Sequence, residues 1–346
     1  MARARYFVIW KDLDPRRRRV LQIFSFIIPL AFWAIVSYCP AVWHPLVRIT
    51  ASGDIGHFTV GDLVKKGAFA RENAKAMAQH LMPASGIPAN PIYLPAPHEV
   101  AISFYKAFTT PPRLPDEPWL HESLWHSIKV IVWGFLISSL LAVPLGIICG
   151  TYRFFAHLSE PFVEFFRYLP APAFAALAVA VLGINDGPKV AIIVIGTFFQ
   201  QLLMISNTTQ KLDPALIEAA QTLGARGFKL FTRVVIPGIL PDIYRDMRIL
   251  LGWAWTYLIV AEVVGNSTGI TWFINQQAKY RIYDNVYAAI IMIGIIGLTT
   301  DIFLAWLGSH LFVWKSRKRS FLSRLRIVYA PTRVKSAYQQ VPYDNA

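Results

Sequence analysis

The nearest approach to a metal-binding pattern in the sequence is His121-Glu122 followed by His126. A zinc-binding helix sets its two imidazoles four residues apart on one face, whereas an interval of five turns the second about 140° away from the first. No metal site is expected. Nothing reads as a G-x-x-x-x-G-K-[ST] phosphate loop, and neither a nucleophile elbow nor a paired-cysteine motif occurs. The chain is therefore expected not to be an enzyme by itself and to hold no cofactor. What remains is a set of polar side chains in apolar surroundings: Gln200, Gln201, Glu262 and Asp301. Burying such groups in lipid is expensive, so each marks either a substrate path or gate between helices, or an interhelical hydrogen bond that fixes packing. Lys129, near a span end, reads as a snorkelling lysine.

The elements that carry these residues are apolar and long. Of 346 residues, 55% are hydrophobic and only 16% charged, where soluble domains carry roughly 25% charge. Apolar runs recur at the length of about 20 residues that a bilayer-crossing helix needs. They are far longer than the roughly 10-residue alternating strands of a membrane barrel. The fold class is an all-α polytopic membrane protein with about six transmembrane helices. The net charge of +14 would suit nucleic acid, but Lys and Arg also collect in the cytoplasmic loops of membrane proteins, and no nucleic-acid partner is expected. Cys39 and Cys149 close two successive spans and so fall on opposite faces of the membrane, which excludes a disulfide between them.

In chain order, 1–20 is a short basic N-terminus ending in four arginines, and 21–42 is the first transmembrane helix. A signal peptide would be shorter and would end at small residues instead of Cys39-Pro40. Residues 43–122 form an extracytoplasmic segment with amphipathic helices, one over 59–82 and another over 97–108, joined by a proline-rich extended stretch. Five further spans, near 124–150, 170–183, 189–206, 247–265 and 286–312, make a core over 123–312. Gly146 and Gly150 in the second span permit close helix packing. The basic tail, 313–346, is expected to be disordered. Lys and Arg number 7 in 1–20, 2 in 150–168, 6 in 207–248 and 8 from 315 onward, 23 of the 34 in the chain. This places both termini and the 207–248 loop in the cytoplasm.

That loop contains the best-punctuated segment of the chain, 213–241. Asp213 fits a helix N-cap and Pro214 the first helical position, where its missing N–H costs nothing. Leu216, Ala220 and Leu223 share one face, with Glu218 on another. Gly224 stands where a helix ends in a left-handed residue. A second amphipathic turn follows with Phe228 and Phe231 apolar, and Pro237 and Pro241 are expected to break it.

Within this segment Glu218-Ala219-Ala220, three residues, Gly224, nine residues and Val234-Val235-Ile236-Pro237 resemble the EAA signature of bacterial ABC-importer permeases, with Val for the usual Ile and Ile for the usual Leu. The resemblance covers about 94–312. It includes 94–100 (LPAPHEV), Pro144-Leu145-Gly146, Glu160-Pro161, Leu169-Pro170-Ala171-Pro172, 183–189, Glu262 with Gly269-Ile270, and Gly294, Gly297 and Asp301. These are similar to the nitrate/sulfonate/taurine/bicarbonate branch. The outer segment before residue 94 and the tail are longer than that pattern.

The resemblance implies a type I importer-like fold in a bacterial inner membrane, with 213–241 as a cytoplasmic coupling helix. Asp213, Pro214, Glu218, Ala219, Ala220, Gly224 and Pro237 would then contact or shape the contact with cytoplasmic ABC ATPase subunits, which use the ATP. A second permease subunit, in a homodimer, and an extracytoplasmic solute-binding protein are the other implied partners. The implied substrate is a small anion or oxyanion. The alternative is a secondary transporter or channel working without ATP. Such proteins carry internal repeats and ionisable residues at mid-membrane, and the sequence shows no repeat and few such residues.

Overall fold

The computed structural model describes residues 14–39, 42–112, 117–264 and 268–315. The readings of 1–13 and of the tail past 315 lie outside them. The chain divides into two units.

The first unit takes in the described residues up to Leu120 together with Phe273–Ile290. It opens with α1 (Pro15–Tyr38), which has Pro15 in its first turn. The apolar side chains of α1 point outward all along its length, including Ile23, Phe26, Leu30 and Phe32. Few directed contacts hold α1. Trp33 Nε1 donates to the Pro95 carbonyl at 3.1 Å, Tyr38 Oη meets His98 Nδ1 at 2.6 Å, and Trp33 stacks on Tyr287.

The segment after α1 departs from the sequence reading. The helix expected over 59–82 begins only at Lys66, as α2 (Lys66–Ala78), and the residues around it form strands. β1 (Leu46–Ala51) is the middle of a three-stranded antiparallel sheet, flanked by β2 (Leu63–Lys65) and β3 (Ser85–Ala89). Gly61 has φ +100°, a left-handed conformation that stops a helix, and Thr59 N donates to the Asp62 carboxylate at 3.0 Å to close the turn. Ile49, Ile55, Phe58, Ala76 and Ala84 form the core, with Val64 and Phe69 against it. The Asn73 amide bonds the Ala84 backbone in both directions at 2.9 Å, fixing α2 to the chain entering β3. The second helix of the segment, α3 (Pro97–Thr109), stands where the sequence places it. Glu99 accepts from the Ala96 amide at 2.8 Å in its first turn.

The second unit takes in His121–Trp272 and the described residues from Ile291 onward. Its elements are α4 (Leu120–Thr151), α5 (Arg153–Arg167), α6 (Ala175–Leu182), α7 (Gly187–Gln210), α8 (Pro214–Thr222), α9 (Gly227–Leu230), α10 (Ile236–Ala261), the start of α11 (Ile270–Lys279) and most of α12 (Tyr283–Leu311). The centre is α7, where Ile192, Ile193 and Ile205 are fully buried. α4 approaches it along three glycines. A Cβ on Gly134 would lie 2.7 Å from Ile193, one on Gly146 2.8 Å from Ile205, and one on Gly150 would collide with Thr209. The pair Gly146 and Gly150 thus does what its spacing suggests. On another side of α7, the Tyr257 ring of α10 lies 2.8 Å from where a Cβ on Gly196 would stand.

Two spans differ from the expected ones. The third is bent, with α5 and α6 meeting at 83° through a 3₁₀ turn, Ala171–Phe174. Pro170 and Pro172 remove two amide donors at this corner. α6 has 8 residues, about 12 Å of helix, too short to cross alone. The fifth span starts eleven residues earlier than read, because α10 begins at Ile236 and runs 26 residues. Among the described residues four helices are long and apolar enough to cross a membrane, or five with the bent pair counted as one. α10 is long enough, but Asp242, Arg245, Asp246 and Arg248 lie in its first half.

At one end of this unit the starts of α4, α7 and α11 meet the end of α10. Glu262, 3% exposed, accepts from Ser127 Oγ and from Thr271 N, the latter at 2.8 Å, and Ser127 Oγ accepts from Ile270 N at 2.8 Å. A serine and a carboxylate from other helices therefore satisfy the first amides of α11, and the negative charge suits a helix start. Beside them the fully buried Lys189 donates to Thr268 Oγ1 at 2.8 Å and pairs with Asp186 at 3.4 Å, while His126 meets Asp186 at 2.9 Å. Gly269, at φ +102°, lies so close that a Cβ would collide with the Glu262 carboxylate.

Gly269→Ala is expected to lower stability by about 2–4 kcal/mol, since it combines a strained φ with displacement of a buried charge. Gly150→Leu is expected to part α4 from α7 and cost about 1–3 kcal/mol from overpacking. Thermal unfolding of the detergent-solubilised protein checks both, and a wild-type melting temperature in either variant would contradict this packing.

Candidate functional site

At the opposite end of the same unit α7 finishes at Gln210 and α8 begins at Pro214, after three intervening residues. The Asp213 side chain accepts from Ala215 N at 3.0 Å, and Pro214 fills the first helical position. The far end closes with paired bonds, from Ala225 N to the Ala220 carbonyl and from Gly224 N to the Gln221 carbonyl, each 2.9 Å. These are the bonds of a Schellman ending, with Gly224 at φ +86° as its left-handed residue. No atom lies within 4 Å of a Cβ placed on Gly224. The demand for glycine there is conformational and leaves the surface around it open.

α8 is capped at both ends and has no buried residue. Leu216, Leu223 and Phe228 are 52%, 89% and 78% exposed. Ala219 is exposed and Ala220 half-buried. Glu218 is exposed and, among the described residues, forms no ion pair with Arg226, Lys229 or any other cation. The segment is anchored through Leu212, whose side chain lies 3.0 Å from where a Cβ on Gly238 would stand. Leu212 packs with Ile147, Ile205, Val235, Ile239 and Ile243.

The prolines do not break the chain as the sequence reading has it. α9 passes into a π-helical turn, Phe231–Val235, and then directly into α10. Pro237 sits in the first turn of α10, where its missing N–H is tolerated. The wider π turn contains Arg233, the residue whose carbonyl the Pro237 ring would otherwise strike. Pro241 lies inside the helix. The backbone is helical without interruption from Gly227 to Ala261.

The intramembrane candidates are scattered. Gln201 is fully buried, accepts from Ser138 Oγ at 2.9 Å and donates to Ser139 Oγ at 3.3 Å, joining α7 to α4. Gln200 is half-buried on the adjoining face. Glu262 is committed to the start of α11. Asp301 of α12 accepts from Arg248 Nη2 at 2.8 Å and Nε at 3.1 Å. Gln201, Glu262 and Asp301 thus each hold a contact to another helix. The sequence reading missed Arg248, Asp246, which Thr208 contacts, and the buried Lys189. Asp242, Arg245, Asp246 and Arg248 recur at helical spacing, a signal hidden by ending the helix at Pro241. Among the described residues no group of three or more His, Cys, Asp or Glu is placed to hold a metal ion.

Residues 142–313 match the family described as binding-protein-dependent transport system inner membrane component. A probable ABC transporter permease protein of Brucella abortus (strain 2308) is 32% identical over 194 residues, which is 56% of this chain and 78% of that protein. The putative aliphatic sulfonates transport permease protein SsuC of Bacillus subtilis is 28% identical over 64% of this chain and 78% of its own length. The taurine transport system permease protein TauC of Escherichia coli is 27% identical over 65% of this chain and 81% of its own length. The matched region holds both the capped helix α8 and the helical rod that continues from it, and the chain belongs to the family of ABC transporter permeases, as a multi-pass component of the inner membrane.

Proposed function

We propose that this chain is the transmembrane subunit of an ATP-driven importer for a small anion or oxyanion, and that α8 is where a separate ATPase engages it. One observation carries the reading. α8 is capped at both ends yet exposes Leu216, with Leu223 at its C-cap and Phe228 in the adjoining α9 also exposed, at the end of the unit away from Glu262. A free surface helix gains nothing from exposed leucines, whereas a helix received by a partner gains their burial. Rigid ends let a push on α8 travel into α10 without being absorbed by fraying. Asp213, Pro214 and Gly224 supply those ends, Ala219 and Ala220 allow close approach, and Glu218 is left free to meet a partner cation. Pro237 joins the segment to the rod.

Two copies of the chain form the pathway between them, and both termini lie on the cytoplasmic side with α8. A solute-binding protein delivers ligand at the other face. The relatives named for aliphatic sulfonates and taurine favour an acid of the sulfonate type as substrate. A secondary transporter is disfavoured because Glu262, Lys189 and Asp301 are each engaged in contacts that hold helices together.

Purified from its native membrane under mild detergent, the protein is expected to bring with it a P-loop ATPase. In the reconstituted complex Gly224→Asp is expected to lower uptake of a sulfonate at least about tenfold, because the left-handed ending is strained for any residue with a Cβ. Membrane insertion should be unchanged. Asp213→Ala is expected to weaken the start of α8 by about 1 kcal/mol and to reduce uptake less. Uptake that persists in ATP-depleted vesicles would sink the reading.

A further inference from the structure

The α10 rod carries more than its own weight. Along its first half, side chains reach α12 at successive levels. Arg248 holds Asp301 through two nitrogens, at 2.8 and 3.1 Å. Tyr244 Oη donates to the Leu304 carbonyl at 2.8 Å. The same ring lies where a Cβ on Gly308 would strike it at 2.9 Å from Cδ1, and it packs edge-on to Phe312 with centroids 5.4 Å apart. Asp242 contacts Lys315 just beyond the end of α12. On its other side the rod is tied to α7 by Thr208 and Asp246.

These contacts are of a kind that fixes register. Apolar packing permits small slides, since many arrangements bury similar area. An arginine held to one carboxylate oxygen and a tyrosine hydroxyl held to one carbonyl do not, because a shift of one residue breaks both. Gly308 presents no side chain to keep the Tyr244 ring away. We infer that Arg248, Tyr244 and Asp301 are positioning residues that lock α12 to α10, so that a displacement entering at α8 moves both helices as one body. The inference rests on the reading of α8 as the ATPase contact and adds which helix travels with the lever.

A crosslink separates a locked pair from a sliding one. Tyr244→Cys with Gly308→Cys, in a chain where Cys39→Ser and Cys149→Ala leave no other thiol, is assembled with its ATPase and binding protein. It is then joined by a short thiol-specific crosslinker. A locked pair is expected to keep at least about half of its sulfonate uptake after crosslinking, and a loss of about tenfold or more overturns the inference. In the uncrosslinked protein with all native cysteines, Asp301→Asn and Tyr244→Phe are each expected to lower uptake per ATP hydrolysed several-fold, with hydrolysis within about twofold of wild type. Unchanged uptake per ATP in both variants also overturns it. Failure of the parent reading shows separately, as uptake by the uncrosslinked wild-type complex that does not depend on ATP.

Discussion

The second unit depends on how closely two backbones approach α7. Gly134, Gly146 and Gly150 bring α4 down onto Ile193, Ile205 and Thr209, and Gly196 lets the Tyr257 ring of α10 settle against α7. In lipid no hydrophobic force drives helices together, so close contact and a few hydrogen bonds must hold them. The polar pairs respect that constraint. Ser138 and Ser139 reach Gln201 across the α4–α7 seam, and Ser127 reaches Glu262. Each works only because small residues have already brought the backbones within reach.

With α7 gripped in this way, the two ends of the unit take different characters. At one end charges are buried and the Ile270 and Thr271 amides at the start of α11 find side-chain partners. At the other, a short helix stands out with its leucines uncovered. The unit thus joins a hydrogen-bonded, buried end to an end that exposes Leu216 and Leu223. The α/β unit around β1 is a separate construction, with its own core and its own clasp between Asn73 and Ala84.

Much of this was legible in the sequence, for physical reasons that can be named. Asp213, Pro214 and Gly224 act through local backbone chemistry, so α8 could be bounded from its own residues. The glycine pair in α4 was legible because its spacing matches one helix face. The three-stranded sheet was not, since Leu63, Val64, Met77 and Leu81 also fit a helical period and the decisive signals were a left-handed Gly61 and an Asp62 turn. Pro241 misled for the opposite reason. Proline inside a helix usually breaks or kinks it, but here the missing bond is tolerated within α10. Hiding that helix also hid the pairing of Arg248 with Asp301, which depends on an element far along the chain.

The π turn between α9 and α10 has a geometric result of its own. An ordinary turn advances about 3.6 residues, and a π turn takes in about one more, which rotates everything beyond it by roughly 100° relative to an unbroken α-helix. The residues of 227–230 are thereby set out of the phase that an unbroken α-helix would give them relative to α10, although a continuous backbone joins them. One stretch of helix can then expose Phe228 at its start and bury Ile239 and Ile243 further on. Phe231–Val235 acts as a phase adjuster, setting the rotation of α9 relative to the rest of the rod.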